Sequence, residues 1–112
     1  VEIKPADVDV SLKNNDKIGN FEIIHTPGHT RGSICLFNKK EKILITGDTI
    51  FADGYSGRTD LPSGSNEEIL NSIKKLSKLK IEKILPGHGK PVLKNANQNI
   101  KSALANLESS NL

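Results

Sequence analysis

Cysteine is nearly absent. Cys35 is the only one, so no intrachain disulfide can form. It lies inside the apolar run Ser33 to Phe37 and reads as a core position, where a thiol behaves as a small hydrophobe. A reducing, cytoplasmic setting is the expectation. Aromatics are scarce as well. One Tyr and three Phe leave little surface for bases to stack on, and nucleic acid is not expected as a partner. No apolar run approaches the ~18 residues of a membrane span, so neither a transmembrane helix nor a membrane partner is expected. Val1-Glu2-Ile3-Lys4-Pro5 is not basic and no apolar stretch follows it, so no signal peptide is read there. Methionine is missing altogether and the chain opens on Val1, which suits a fragment or a processed product. Neither sign of charge dominates: 16 basic and 13 acidic residues give a formal +3. The densest basic group, Lys74, Lys75, Lys78 and Lys80, reads as the solvated face of a helix that begins with acids. Internal repeats and low-complexity tracts are lacking too.

What remains is ordinary globular chemistry. With 112 residues, 35% of them apolar and 26% charged, the chain is expected to be a single domain over 1–112 with one core. Val8, Val10 and Leu12 alternate with polar residues, so residues 1–15 read as an extended arm or an edge strand. Lys17-Ile18 and Phe21 to Ile24 flank Gly19-Asn20 as a tight hairpin. Ser33 to Phe37 and Lys42 to Thr46 are two further strands. Asp53 to Ser65 is a long Gly- and Pro-bearing loop of the kind that carries function. Ser65 with Glu68 forms a capping box for a helix over 66–79, whose stripe is Ile69, Leu70, Ile73, Leu76 and Leu79. Lys83-Ile84-Leu85 is a short strand, and a second helix is read over 95–109.

Three apolar runs break into Gly-bearing loops that each offer one good ligand. They are His25-Thr26-Pro27-Gly28-His29-Thr30, Thr46-Gly47-Asp48-Thr49 and Leu85-Pro86-Gly87-His88-Gly89. If the first three strands pair in order, strands 21–25 and 42–46 point the same way. Strand 83–86, reached by a helical crossover, is then parallel to 42–46. All three loops therefore leave one edge of one sheet, where ligands of α/β folds commonly bind. Singly, each residue has a plainer reading: a surface His, a turn or cap acid, a Pro-Gly turn. Together, His29, Asp48 and His88 offer the nitrogen and oxygen donors that suit zinc. His25, at a strand end, reads as packing or hydrogen-bonding under the loop rather than as a ligand.

These stretches together resemble the metallo-β-lactamase fold superfamily, in particular its glyoxalase II-like (hydroxyacylglutathione hydrolase-like) branch. The resemblance runs over residues 16–108 and includes Gly47-Asp48-Thr49-Ile50-Phe51 and Gly57-Arg58-Thr59-Asp60-Leu61-Pro62. It implies that His29 is the last histidine of a first metal site, that Asp48 bridges two metals, and that His88 is the last histidine of the second. It implies two zinc ions in the complete site, with Fe or Mn as alternatives, and hydrolysis of a thioester or related ester by a metal-bound hydroxide. It also places Arg58, Thr59 and Asp60 on a loop bordering the site's mouth. Arg31 stands where Pro is frequent in relatives. The family's His-x-His-x-Asp-His signature, which supplies four more ligands, is absent: the first histidine is His25.

The fold expected is α/β, half of an αββα sandwich, with a mixed sheet of about five strands and two main helices. The chain reads as the C-terminal portion of a metallohydrolase. It would bind metal weakly or partially and be inactive without the half that carries the missing motif. A non-catalytic binding or assembly module on the same scaffold is the alternative. Both faces of the sheet are apolar in this reading, with the helices on one of them. The other face would be left bare, which points to a possible homodimer.

Overall fold

A computed structural model describes residues 16–60 and 64–110 of the chain. The run read as an arm or edge strand at residues 1–15, and Leu61 and Pro62 of the long loop, lie outside them. Strands β1 (Lys17–Ile18), β2 (Phe21–His25), β3 (Ile34–Asn38) and β4 (Ile43–Gly47) form an antiparallel meander. Ile18 faces Phe21 across the two-residue turn, whose Gly19 takes a φ of 60°. Such a turn matches the twist of the strands it joins. Helix α1 (Asn66–Leu76) crosses over, and β5 (Lys83–Pro86) returns parallel to β4. Helix α2 (Ala96–Ser110) follows. The result is a mixed α/β sheet in the order β1 to β5.

Helix α1 begins and ends for local reasons, and so does the start of α2. Ser65 Oγ accepts the Glu68 N–H at 3.2 Å, the first half of the expected capping box. Acids stand in the first turn of α1 and lysines in its last, each at the favourable dipole end. The helix stops at Leu76 rather than 79. Ser77 turns its hydroxyl back onto the Lys74 carbonyl at 2.6 Å, and a last loose turn carries Leu79. Asn95, read with Gln98 as the start of the second helix, sits at φ 57°, so α2 starts one residue later, at Ala96.

Ile24, Cys35, Phe37, Leu44 and Ile84 point to one side of the sheet. There they pack with Ile69, Ile73 and Leu76 of α1 and with Ile100 and Ala103 of α2. Both helices therefore cover the same face. On the other face Ile23, Leu36, Ile45 and Leu85 stand opposite one another across β2 to β5. That face is less bare than the alternation implies. Ile23 and Leu36 are only 1% and 7% exposed, whereas Leu85 on β5 is 38% exposed. Alternation assigns a residue to a face and says nothing of how much of it is covered. Among the described residues, no helix is long and apolar enough to cross a membrane.

Candidate metal centre

The three ligand-bearing turns leave the sheet at one edge and are fastened to each other from below. Thr26, after β2, and Thr49, after β4, are buried and bring their hydroxyls to 3.3 Å of one another. Thr26 Oγ1 also lies 3.4 Å from Cys35 Sγ. The Gly87 N–H donates to the Gly47 carbonyl at 2.7 Å, which ties the exit of β5 to that of β4. From α1, the Ser72 hydroxyl donates to the Pro27 carbonyl at 2.7 Å. Gly28, at φ 145°, lies so close to that helix that a Cβ would meet Ile69 Cβ at 2.3 Å. Only glycine fits there. Burial pushes the Cys35 thiol up to about 11, against the smaller opposing pull of the Thr26 and Thr49 hydroxyls. It is an inert core thiol, as its sequence position suggested.

Asp48 stands at the centre of the cluster. Its Oδ1 accepts from His88 Nδ1 at 2.9 Å, and its Oδ2 lies 3.7 Å from His29 Nε2. His29 Nδ1 is 2.7 Å from the Arg58 carbonyl. A carbonyl only accepts, so Nδ1 carries a hydrogen, and Nε2 is the ring atom turned toward Asp48. Nε2 and the carboxylate oxygen face each other across a gap that a proton or a cation can bridge. Two metal bonds of about 2.0–2.2 Å meeting at a tetrahedral angle span ~3.4 Å, close to what is seen. The Arg58 carbonyl plays the outer role by which proteins fix the tautomer of a ligating imidazole.

His29 and Asp48 thus fit a divalent metal of borderline character, and His88 reaches the same carboxylate through its other oxygen. Among the described residues, however, no group of three or more His, Cys, Asp or Glu side chains is set to hold one ion together. The cluster is two pairs joined at a carboxylate. A cleft of about 530 Å³ opens over it, with Thr30, Ser33, Ile34 and Thr49 in its walls. His29 is the most confined of the three, with 17% of its side chain exposed against 81% for His88.

The loop expected at the mouth meets the site differently from its expected role. The Gly57 N–H donates to the Thr49 carbonyl at 3.0 Å, and a Cβ on Gly57 would lie 1.9 Å from the Asp48 carbonyl oxygen. Arg58 contributes its carbonyl, not its guanidinium. That group pairs with Asp60 through bonds of 2.6 and 2.9 Å. The pairing raises the Arg58 pKa and holds the Asp60 carboxyl below its usual range. The Thr59 hydroxyl donates to Asn66 Oδ1. None of the three lines the cleft. His25 is exposed rather than tucked under the loop, and its carbonyl accepts from Lys75 Nζ at 2.7 Å.

Two residues of α2 had no place in the sequence reading. Asn99 Oδ1 accepts the Gly54 N–H at 3.1 Å, and its Nδ2 donates to the Phe51 carbonyl at 2.9 Å. Asn106 Nδ2 donates to the Gly54 carbonyl at 2.9 Å. Together they pin the turn that follows Asp48. Two asparagines seven apart, on the flank of the apolar stripe of α2, were the available signal.

A family model described as the metallo-beta-lactamase superfamily matches residues 5–88. The chain belongs to this superfamily. It is 52% identical over 73 residues to the "Probable metallo-hydrolase MJ0888" of Methanocaldococcus jannaschii, covering 62% of this chain and 34% of that protein. It is 46% identical over 72 residues to the "Hydroxyacylglutathione hydrolase GloC" of Haemophilus influenzae, again covering 62% and 34%. Among solved structures, the di-iron-bound form of TTHA1623 superposes with a TM-score of 0.69 at 28% identity, over 83% of this chain and 44% of that one. A metallo-beta-lactamase family protein of Thermus thermophilus, TTHA1429, gives 0.75 at 22% identity over 88% and 35%, a likeness of fold. The chain spans about a third of the length of the two curated relatives named.

Proposed function

We propose that this superfamily member is the C-terminal portion of a metal-dependent hydrolase of thioesters or related esters, of the hydroxyacylglutathione hydrolase-like kind. The observation that carries the reading is Asp48, which gives one carboxylate oxygen to each of two histidines from different loops. His29 and Asp48 would hold a zinc, iron or manganese ion, and Asp48 with His88 a second. Such an ion lowers the pKa of water and polarises the substrate carbonyl. The chain's own part is to fix the ligands. The Arg58 carbonyl sets the His29 tautomer, the buried Thr26–Thr49 contact sets the spacing of two loops, and Gly57 lets the third segment close on Asp48. A catalytic zinc takes at least three protein ligands, so this chain acts together with a half that carries His-x-His-x-Asp-His. The lone, buried thiol of Cys35 suits a reducing, cytoplasmic setting.

The test is to supply that N-terminal half in trans and follow lactoylglutathione hydrolysis with and without added metal. Metal-dependent turnover that His88→Ala lowers at least a hundredfold is the expected result, while the 112-residue chain alone stays at background. A second reading is a binding or assembly module that kept the scaffold. The 2.9 Å His88–Asp48 hydrogen bond favours it, because a carboxylate satisfied in this way needs no metal. It predicts no hydrolysis with any partner half.

A further inference from the structure

Beside the metal cleft, and sharing His88 with it, runs a second depression of about 430 Å³. Its walls are Phe51, Ala52, Tyr55, His88 and Gly89, with the charged Asp53 and Lys90 also in the lining. The volume lies within the roughly 300–1,000 Å³ of small-molecule sites. Tyr55 is 67% exposed, the most exposed large hydrophobic side chain among the described residues. An exposed aromatic ring on a loop is ordinary when the loop is loose. Here the backbone beneath it is held at several points. The Phe51 N–H donates to the Tyr55 carbonyl at 2.8 Å, and Ile50 bridges to Ser56. Asn99 and Asn106 clamp Phe51 and Gly54 from α2. Asp53 is kept at φ 63°, a conformation that persists only where its surroundings enforce it.

The two charges of the lining answer each other, since Lys90 Nζ lies 3.6 Å from Asp53 Oδ2. The Phe51 and His88 rings stand 6.4 Å apart, tilted by 55°. The trough is thus lined mainly by aromatic and small side chains, and it adjoins the cleft over Asp48 at His88. We propose that it is the subsite for an apolar acyl chain of the substrate, with Tyr55 as the residue that selects for chain length. A substrate whose carbonyl sits over Asp48 would run that chain past His88 and along Phe51 and Tyr55. The peptide-like thiol portion of a thioester needs hydrogen-bond partners and fits the polar cleft instead, where Thr30, Ser33 and Thr49 lie. This assignment rests on the hydrolase reading and deepens it.

The test titrates the 112-residue chain, followed by amide NMR, with N-ethylacetamide and with N-ethylhexanamide. These are unreactive acyl mimics that differ by four methylenes. Half-burial of the added methylenes tightens binding of the longer probe roughly tenfold. Its shifts fall on Tyr55, His88 and Gly89. Tyr55→Ala removes most of that gain and Tyr55→Phe keeps it, because an apolar chain is recognised by the ring and not by a hydroxyl. Equal affinity for the two probes, a gain that survives Tyr55→Ala, or shifts confined to the Leu85 face would each overturn the assignment. The completed two-part hydrolase separates it from the parent reading. Turnover without preference for hexanoyl over acetyl thioesters keeps the hydrolase and removes the subsite. Length-selective probe binding without metal-dependent turnover removes the hydrolase and keeps the trough.

Discussion

Asp48 gives each of its oxygens to a different imidazole, so it is the one side chain whose loss unmakes both pairs. Asp48→Ala is expected to abolish zinc binding by the isolated chain, which is itself weak and below one ion per chain. Elemental analysis after dialysis checks both statements, and two tightly held ions per chain would contradict them. Cys35 gives a prediction in pH. Its thiol titrates near 11 in the fold against an ordinary 9.0, so the folded state holds that proton longer than the unfolded one. The stabilising contribution is complete below pH 9.0 and is lost as the pH climbs through 11. Each pH unit in that window costs about 1.4 kcal/mol. Urea melts from pH 8 upward should fall more steeply for the native chain than for Cys35→Ala, and parallel curves would refute the assignment. At this scale the sequence was legible for side chains that act as themselves. That His29, Asp48 and His88 would meet was readable, because three glycine-bearing loops leave one sheet edge. The Arg58 carbonyl was not, since main-chain atoms leave no mark in the residue code, and the salt bridge that occupies its guanidinium needs coordinates to be seen.

The elements themselves followed from patterns of period 2 and 3.6, and their ends from turn and cap residues. The order of the sheet followed from the hairpins and the single crossover. What the pattern could not tell was how loops are anchored to distant elements. Asn99 reads in sequence as the polar side of α2, yet it replaces a missing strand partner for the turn at Phe51 and Gly54, 48 and 45 positions away. Asn99→Ala leaves an N–H and a carbonyl without their partner and should cost about 2 kcal/mol. The local signature is faster hydrogen exchange at Gly54, with exchange in β3 slowed or quickened only in step with global stability. Gly57→Ala is the sharper perturbation. Its methyl would collide with the backbone of Asp48 rather than with a yielding side chain, so the loop must move. Destabilisation of about 1–3 kcal/mol is expected, together with loss of the His29–Arg58 contact, visible as a changed His29 ring resonance.

For the molecule as a whole, the two sheet faces are unequal. One carries both helices, and the other is exposed on its β5 side, at Leu85. We expect the isolated chain to self-associate through that side by a two-fold contact, with Leu85→Lys shifting it to monomer. Sedimentation equilibrium at micromolar concentration decides this, and a native chain that is already monomeric rules it out. The parallel pairing of β5 with β4 has a further consequence, in time rather than in space. The meander β1 to β4 needs only hairpins between neighbours, whereas His88 reaches Asp48 across 40 residues and an intervening helix. Contacts of long separation close late, because the entropy of the loop must be met before they return anything. The His29–Asp48 pair should therefore form ahead of the His88–Asp48 pair on refolding. Stopped-flow histidine labelling should find His29 protected while His88 still reacts. A nascent chain released before β5 would then hold half a site, and closure of the His88–Asp48 pair would report that folding had reached β5.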